Sequence, residues 1–220
     1  MSASCNPFAG QARRFATLAV AGLLLGGCAL MEKPLRPAVY DFGPGTTVAT
    51  VPMAAGAGAP ATGILALPDV DAGSALDSTA VLYRLAYADA QQLLPYAQAR
   101  WSMPPAQLVR QRLRETLGQR RTVFNPGDGH IAGAGPTLVL RVELEEFSQL
   151  FETPSRSIGL VRVRGTVLQA GVSGDKLLGQ RSFTVHRPAP TPDAPGGVRA
   201  LSAATDAAVE DIEQWLTQFR

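Results

Sequence analysis

Three runs of alternating apolar and polar residues dominate the C-terminal half of the chain. Leu138, Leu140, Val142 and Leu144 alternate with Val139, Arg141, Glu143 and Glu145. In residues 158–169, Val161, Val163 and Val167 share one face, and Arg162, Arg164 and Thr166 the other. Residues 177–186 make the third run. Successive strand side chains point to opposite faces, so each run predicts a half-buried strand. Residues 171–175 (GVSGD) supply the second turn of a three-stranded antiparallel meander. Across its first hairpin, the Arg and Glu rows would neutralise each other on the wet face.

Shorter apolar runs precede it. Residues 39–42, 64–70 and 81–87 read as strands, and residues 91–96 are a fourth candidate. Pro68, near the end of 64–70, suits an edge strand. Val81, Tyr83, Leu85 and Tyr87 share one face, and residues 71–79 are turn-like. Two stretches carry helical spacing instead. After Ser102, with prolines 104 and 105 at its start, Ala106, Val109, Leu113 and Leu117 recur on one stripe that Gly118 closes. Residues 199–219 place Ala208, Ile212, Trp215, Leu216 and Phe219 on another. The expected fold class is α+β: a mostly antiparallel sheet with two amphipathic helices packed on one face. Arg110, Arg112, Arg114 and Glu115, then Arg120 and Arg121, predict a solvated basic face on the first helix; a phospholipid or acidic partner there is the rarer reading.

Glycine and proline mark the remainder. Residues 54–63 (AAGAGAPATG) and 125–136 (NPGDGHIAGAGP) read as loops. Residues 187–198 hold four prolines, which argue against helix or central strand there.

The N-terminus follows a different plan. Arg13 and Arg14 precede an apolar run of about eleven residues, too short for the roughly 20 that span a bilayer. This is the layout of a secretory signal. Leu25-Gly26-Gly27-Cys28 resembles the bacterial lipobox, in which small residues let a peptidase thread the backbone beside a cysteine that is then acylated. Residues 1–27 are therefore expected to be a removed signal peptide, residues 28–37 a tether acylated at Cys28, and residues 38–220 one domain. Cys5 falls in the removed part, so the mature chain keeps one capped cysteine. Acyl chains contribute about 0.8 kcal/mol per CH₂ buried in a membrane. The tether spans at most about 27 Å, which holds the body near its membrane. Ala29 after the cysteine, where an Asp commonly marks inner-membrane retention, favours the outer membrane. Of 20 basic residues, the signal removes Arg13 and Arg14, leaving 18 against 18 acids. A neutral body argues against nucleic acid as a partner.

Motifs for chemistry are missing. The sequence contains no phosphate-cradling G-x-x-x-x-G-K-[ST] and no G-x-S-x-G. Two histidines, His130 and His186, with one acylated cysteine do not make an ordinary zinc site. Glu145 and Glu146 are adjacent, so on a strand they face opposite ways and cannot act as a pair. No catalysis, metal or cofactor is expected.

Tyr83-Arg84-Leu85, then Tyr96-Ala97-Gln98-Ala99-Arg100-Trp101-Ser102-Met103-Pro104-Pro105 and the helix to Leu117, follow a lipobox and a Tyr-Asp-Phe-Gly strand. Together they resemble the ABC-type transport auxiliary lipoprotein family, which includes the paraquat-inducible protein C type. The resemblance implies a non-catalytic outer-membrane lipoprotein facing the periplasm. It would dock a mammalian-cell-entry-domain protein that works with an ABC permease and ATPase to move phospholipid or other hydrophobic molecules between membranes. A structural lipoprotein that assembles another envelope complex is the alternative, and homo-oligomers stay open. Tyr83, Arg84, Tyr96, Arg100 and Trp101 are the candidate partner-binding residues, since Tyr, Trp and Arg dominate interface energetics. Trp101 could instead anchor the helix start in the core. Phe147, Leu150 and Phe151, read as following a strand end, could touch lipid or belong to the core.

Overall fold

In the computed structural model, residues 36–44, 63–126, 138–171 and 174–219 are described. The signal peptide, Cys28, most of the tether, His130, all of 54–63 but Gly63 and all of 125–136 but Asn125 and Pro126 lie outside them. So do residues 172 and 173 of the predicted turn, whose ends are joined by a bond from the Gly174 amide to the Gly171 carbonyl at 3.2 Å.

The predicted meander is the spine of the sheet. Strand β7 (Leu138–Thr153) pairs antiparallel with β8 (Arg156–Gln169), and β8 with β9 (Lys176–Pro188). Strand β7 is far longer than its first alternating run suggests. A register shift between Leu144 and Glu146 reverses the parity, so Phe147, Gln149 and Phe151 continue the buried row begun by Leu138 to Leu144. The expected strand end before Phe147 is therefore absent. On the wet face Arg164 pairs with Glu145 and, at 3.6 Å, with Glu143, the charge cancellation the sequence predicts.

The other edge of β7 is covered in pieces. Strands β2 (Ile64–Ala66), β3 (Asp71–Ala72) and β4 (Ala80–Leu85) follow one another along it, all parallel to it. A 3₁₀ turn, Ser74–Leu76, lies between the last two. Strand β5 (Asp89–Trp101) forms an antiparallel hairpin with β4, β1 (Ala38–Tyr40) pairs parallel with the end of β5, and β6 (Thr122–Phe124) pairs parallel with β2. The sheet is thus mixed: its long ladders are antiparallel and its short ones parallel. The edge expected at 64–70 is not an edge. Strand β2 lies between β7 and β6, and Pro68 does not interrupt it because the strand stops at Ala66.

Helix α1 (Pro105–Leu117) starts on its proline, which needs no amide partner in the first turn. Helix α2 (Ala194–Leu216) begins five residues before the sequence predicts. The proline-rich segment contains its start. Asp193 caps it, its carboxylate accepting from the Gly196 amide at 2.8 Å and the Thr191 hydroxyl at 2.6 Å, and Pro195 sits in the tolerant first turn. Both bonds stabilise the charged form and hold the Asp193 carboxyl below its ordinary value.

Both helices and the sheet share one core, including Leu65, Trp101, Leu113, Leu140, Phe147, Val163, Leu201 and Ile212. Helix α2 lies very close to β8. A Cβ on Gly159 would stand 2.6 Å from the Ala200 backbone carbon, and one on Gly165 would stand 3.1 Å from the Trp215 ring.

The basic face of α1 departs from expectation. Arg112 and Arg121 are only 5% and 7% exposed. Arg112 lies under α2, where it meets Asp206 at 3.1 Å and donates to the Phe42 carbonyl at 2.9 Å. The Asp206 contact is an ion pair set off the hydrogen-bonding direction. Burial raises the Asp206 carboxyl above its ordinary value, with Arg112 opposing the shift. An apolar stripe defines only one buried face of a helix; a second helix packed against α1 covers another.

Candidate functional site

Hairpin β4–β5 and the end of β7 gather most of the family-like residues. Tyr83 on β4 and Tyr96 on β5 stack with ring centres 4.6 Å apart, and Tyr83 meets the Phe151 ring edge-on at 6.0 Å. The Tyr96 hydroxyl donates to Gln149 Oε1 at 2.8 Å, and Gln149 Nε2 donates to the Ser157 hydroxyl at 2.7 Å. Gln149 is wholly buried, so its amide needs both partners. It is also pressed by α2, since a Cβ on Gly197 would stand 2.0 Å from Gln149 Oε1. Burial, then the neighbouring Tyr83 and Asp193, raise the Tyr96 phenol above its ordinary value. It therefore stays a neutral donor at physiological pH.

Arg84 points to the opposite face. Its guanidinium meets Glu146 at 3.0 and 3.4 Å and donates to the carbonyls of Ala90 and Gln91 at 3.3 and 3.1 Å. One arginine thus ties the two strands together beside the hairpin turn and holds them to β7. Replacing Tyr96 by Phe keeps the ring stack and removes the donor to Gln149. A buried acceptor left unpaired costs about 1–3 kcal/mol, so Tyr96→Phe should lower the urea midpoint with an unchanged slope.

The proposed contact residues separate by burial. Trp101 is 2% exposed and meets Phe42 and Phe147 edge-on at 5.6 and 5.5 Å; it belongs to the core, not the surface. Phe147 and Phe151 are buried too, which corrects their reading as a lipid-touching patch, and Leu150 is half-buried beside Arg84. Tyr83, Arg84 and Tyr96 are half-buried and shape the hairpin from within. Arg100 is exposed. The sequence reading missed Gln149, although a polar residue in the buried row between Phe147 and Phe151 was a usable signal. It also missed Asp193, which the Asp-x-Pro order before a helix signals.

Tyr87, at the hairpin turn, is exposed. Among the described residues, β5 pairs with β1 only through Ala99–Trp101, so residues 89–98 keep a free edge. Also among them, no group of three His, Cys, Asp or Glu could hold a metal ion, and no helix is long and apolar enough to cross a membrane. His186 is an exposed residue of β9.

The family model of the ABC-type transport auxiliary lipoprotein component matches residues 47–213. The chain belongs to this family. The match runs from before β2 into α2, so the family extends well beyond the stretch from Tyr83 to Leu117 that carries the resemblance. No curated protein matches the chain. Among solved structures, protein XCC0632 from Xanthomonas campestris, of family model DUF330, is 16% identical with a TM-score of 0.57; the alignment covers 70% of this chain and 82% of that one. An uncharacterized protein is 15% identical with a TM-score of 0.56, over 82% of this chain and 99% of the other. Both share the fold of this chain.

Proposed function

We propose that this auxiliary lipoprotein is the non-catalytic outer-membrane subunit of an ABC transport system that moves phospholipid or other hydrophobic molecules between membranes. Acylated Cys28 anchors it after removal of residues 1–27, and the domain of residues 38–220 faces the periplasm. It docks a mammalian-cell-entry-domain protein that works with an ABC permease and ATPase. The carrying observation is the family match across nearly the whole described domain. The hairpin fits the docking role. Tyr83, Tyr96 and Gln149 brace it from inside, Arg84 fixes its turn, and the edge of β5, which over residues 89–98 has no second strand partner among the described residues, offers backbone groups of the kind that accept an added strand. Arg100 and Tyr87 flank that edge on the surface.

The test is a pull-down of the acylated protein from gently solubilised membranes, with co-purifying chains identified by mass spectrometry. A mammalian-cell-entry-domain protein and an ABC permease should appear, and Arg100→Glu with Tyr87→Ala should deplete them while the protein stays folded. An eluate without any transporter subunit removes the docking role and leaves the family membership standing.

A further inference from the structure

A second feature lies at the far ends of the helices, away from the hairpin. The turn after α1 carries Arg120 and Arg121, the last turn of α2 carries Glu213 and Leu216, and Phe219 follows just beyond it. Together they line an open cleft of about 630 Å³. Half-buried Phe219, with the fully buried Leu216 behind it, makes one wall apolar. Arg120 meets Glu213 at 3.1 Å, so the carboxylate beside Arg121 is shared with a second arginine. Arg121 is 7% exposed, and its Nε is buried with no hydrogen-bond partner. Burial pulls its guanidinium below the ordinary value, and Glu213 offsets only part of that. A buried N–H without an acceptor is costly in a resting fold. Glu213 accepts no hydrogen bond from that Nε, and its carboxylate also meets Arg120.

We propose that this cleft binds an anionic amphiphile, with its head accepting from Arg121 and its apolar chain lying against Phe219. Guanidinium presents a planar fork that suits carboxylate and phosphate oxygens alike. The head can come from a phospholipid or from a free fatty acid, which share this chemistry. The inference does not depend on the transport reading: a pull-down without transporter subunits leaves the cleft and the unbonded Nε of Arg121 unchanged.

Calorimetric titration tests it, using the mature chain from residue 28 with Cys28→Ser, so that no acyl chain competes. Dodecyl phosphate and dodecanoate, each kept below its micelle concentration, should bind saturably at one per chain. Neutral dodecyl maltoside should bind at least about tenfold more weakly, as the loss of a charge-assisted contact requires. Arg121→Met should weaken both anions by a similar factor without lowering the melting temperature, because it removes a buried N–H that has no acceptor. Phe219→Ala should weaken them from the chain side. Tighter binding of dodecyl phosphate assigns the head to a phospholipid, and tighter binding of dodecanoate to a fatty acid. Equal binding of the maltoside, or full anion affinity in Arg121→Met, overturns the proposal. If Arg121→Met fails to fold, the maltoside comparison and Phe219→Ala decide it.

Discussion

Trp101→Ala should unfold this protein at a temperature lower by about 10 °C. The indole is almost fully buried between Phe42 and Phe147, at the end of β5 where β1 docks. Removing a large buried aromatic costs about 3–5 kcal/mol. A domain of this size loses about 2–4 °C per kcal/mol. Trp101→Phe should cost much less, since it keeps an aromatic ring and deletes an indole N–H that has no partner. Thermal denaturation of both variants, beside Arg100→Ala, separates packing from docking. Arg100 is exposed, and its removal should leave the melting temperature within about 1 °C, as is usual for surface changes. A Trp101→Ala protein that melts like the parent would return this residue to the surface role the sequence allowed.

The second large effect comes from adding atoms rather than removing them. Gly159→Val should destabilise the fold by about 3 kcal/mol, the upper end of what overpacking usually costs. Its first carbon alone would stand 2.6 Å from both the Ala200 carbonyl carbon and the Leu201 nitrogen. Those are backbone atoms of α2 and cannot swing aside as a side-chain tip would. The helix must lift from β8, and the packing of Leu201, Ala204 and Ala208 goes with it. Gly73→Val is the control, because nothing lies within 4 Å of its added carbon and its backbone is extended. Urea denaturation of the pair should show a lower midpoint for Gly159→Val and little change for the control. Equal midpoints would mean that α2 does not sit where it is placed here.

The sequence was most legible where one face is wet. The meander alternates because its outer row of Arg, Glu and Thr meets water, so period and burial coincide from Leu138 to Leu144, again at Val161, Val163 and Val167, and at Phe183 and Val185. Legibility failed where a second layer intervened. Arg112 and Arg121 look like members of a solvated face because only the sheet-facing stripe of α1 shows in the spacing; the neighbouring α2 covers Arg112, and that contact is long-range. The start of α2 was hidden by four prolines, although one proline in a first turn after an Asp cap is compatible with a helix. Strand β6 has three residues, too few for any period to register. At the site, Tyr83, Arg84, Tyr96 and Arg100 came from the family-like stretch. Gln149 and Ser157 did not, because pairing across β7 and β8 brings them together and no local pattern marks it.

The piecewise edge along β7 has a genetic consequence. Leu65 faces Leu138, Asp71 faces Glu143 and Tyr83 faces Gln149. The chain from Asp71 to Tyr83 is thus twice as long as the stretch of β7 it accompanies, and the excess is carried by the 3₁₀ turn and its flanks. Codons gained or lost there change only how much chain loops out, because β4 finds its register anew against β7. The same change between Glu143 and Gln149 would slip β7 against β8, turning each side chain beyond it to the opposite face. One side of this sheet can therefore drift in length between relatives, and the other is held fixed by its partner.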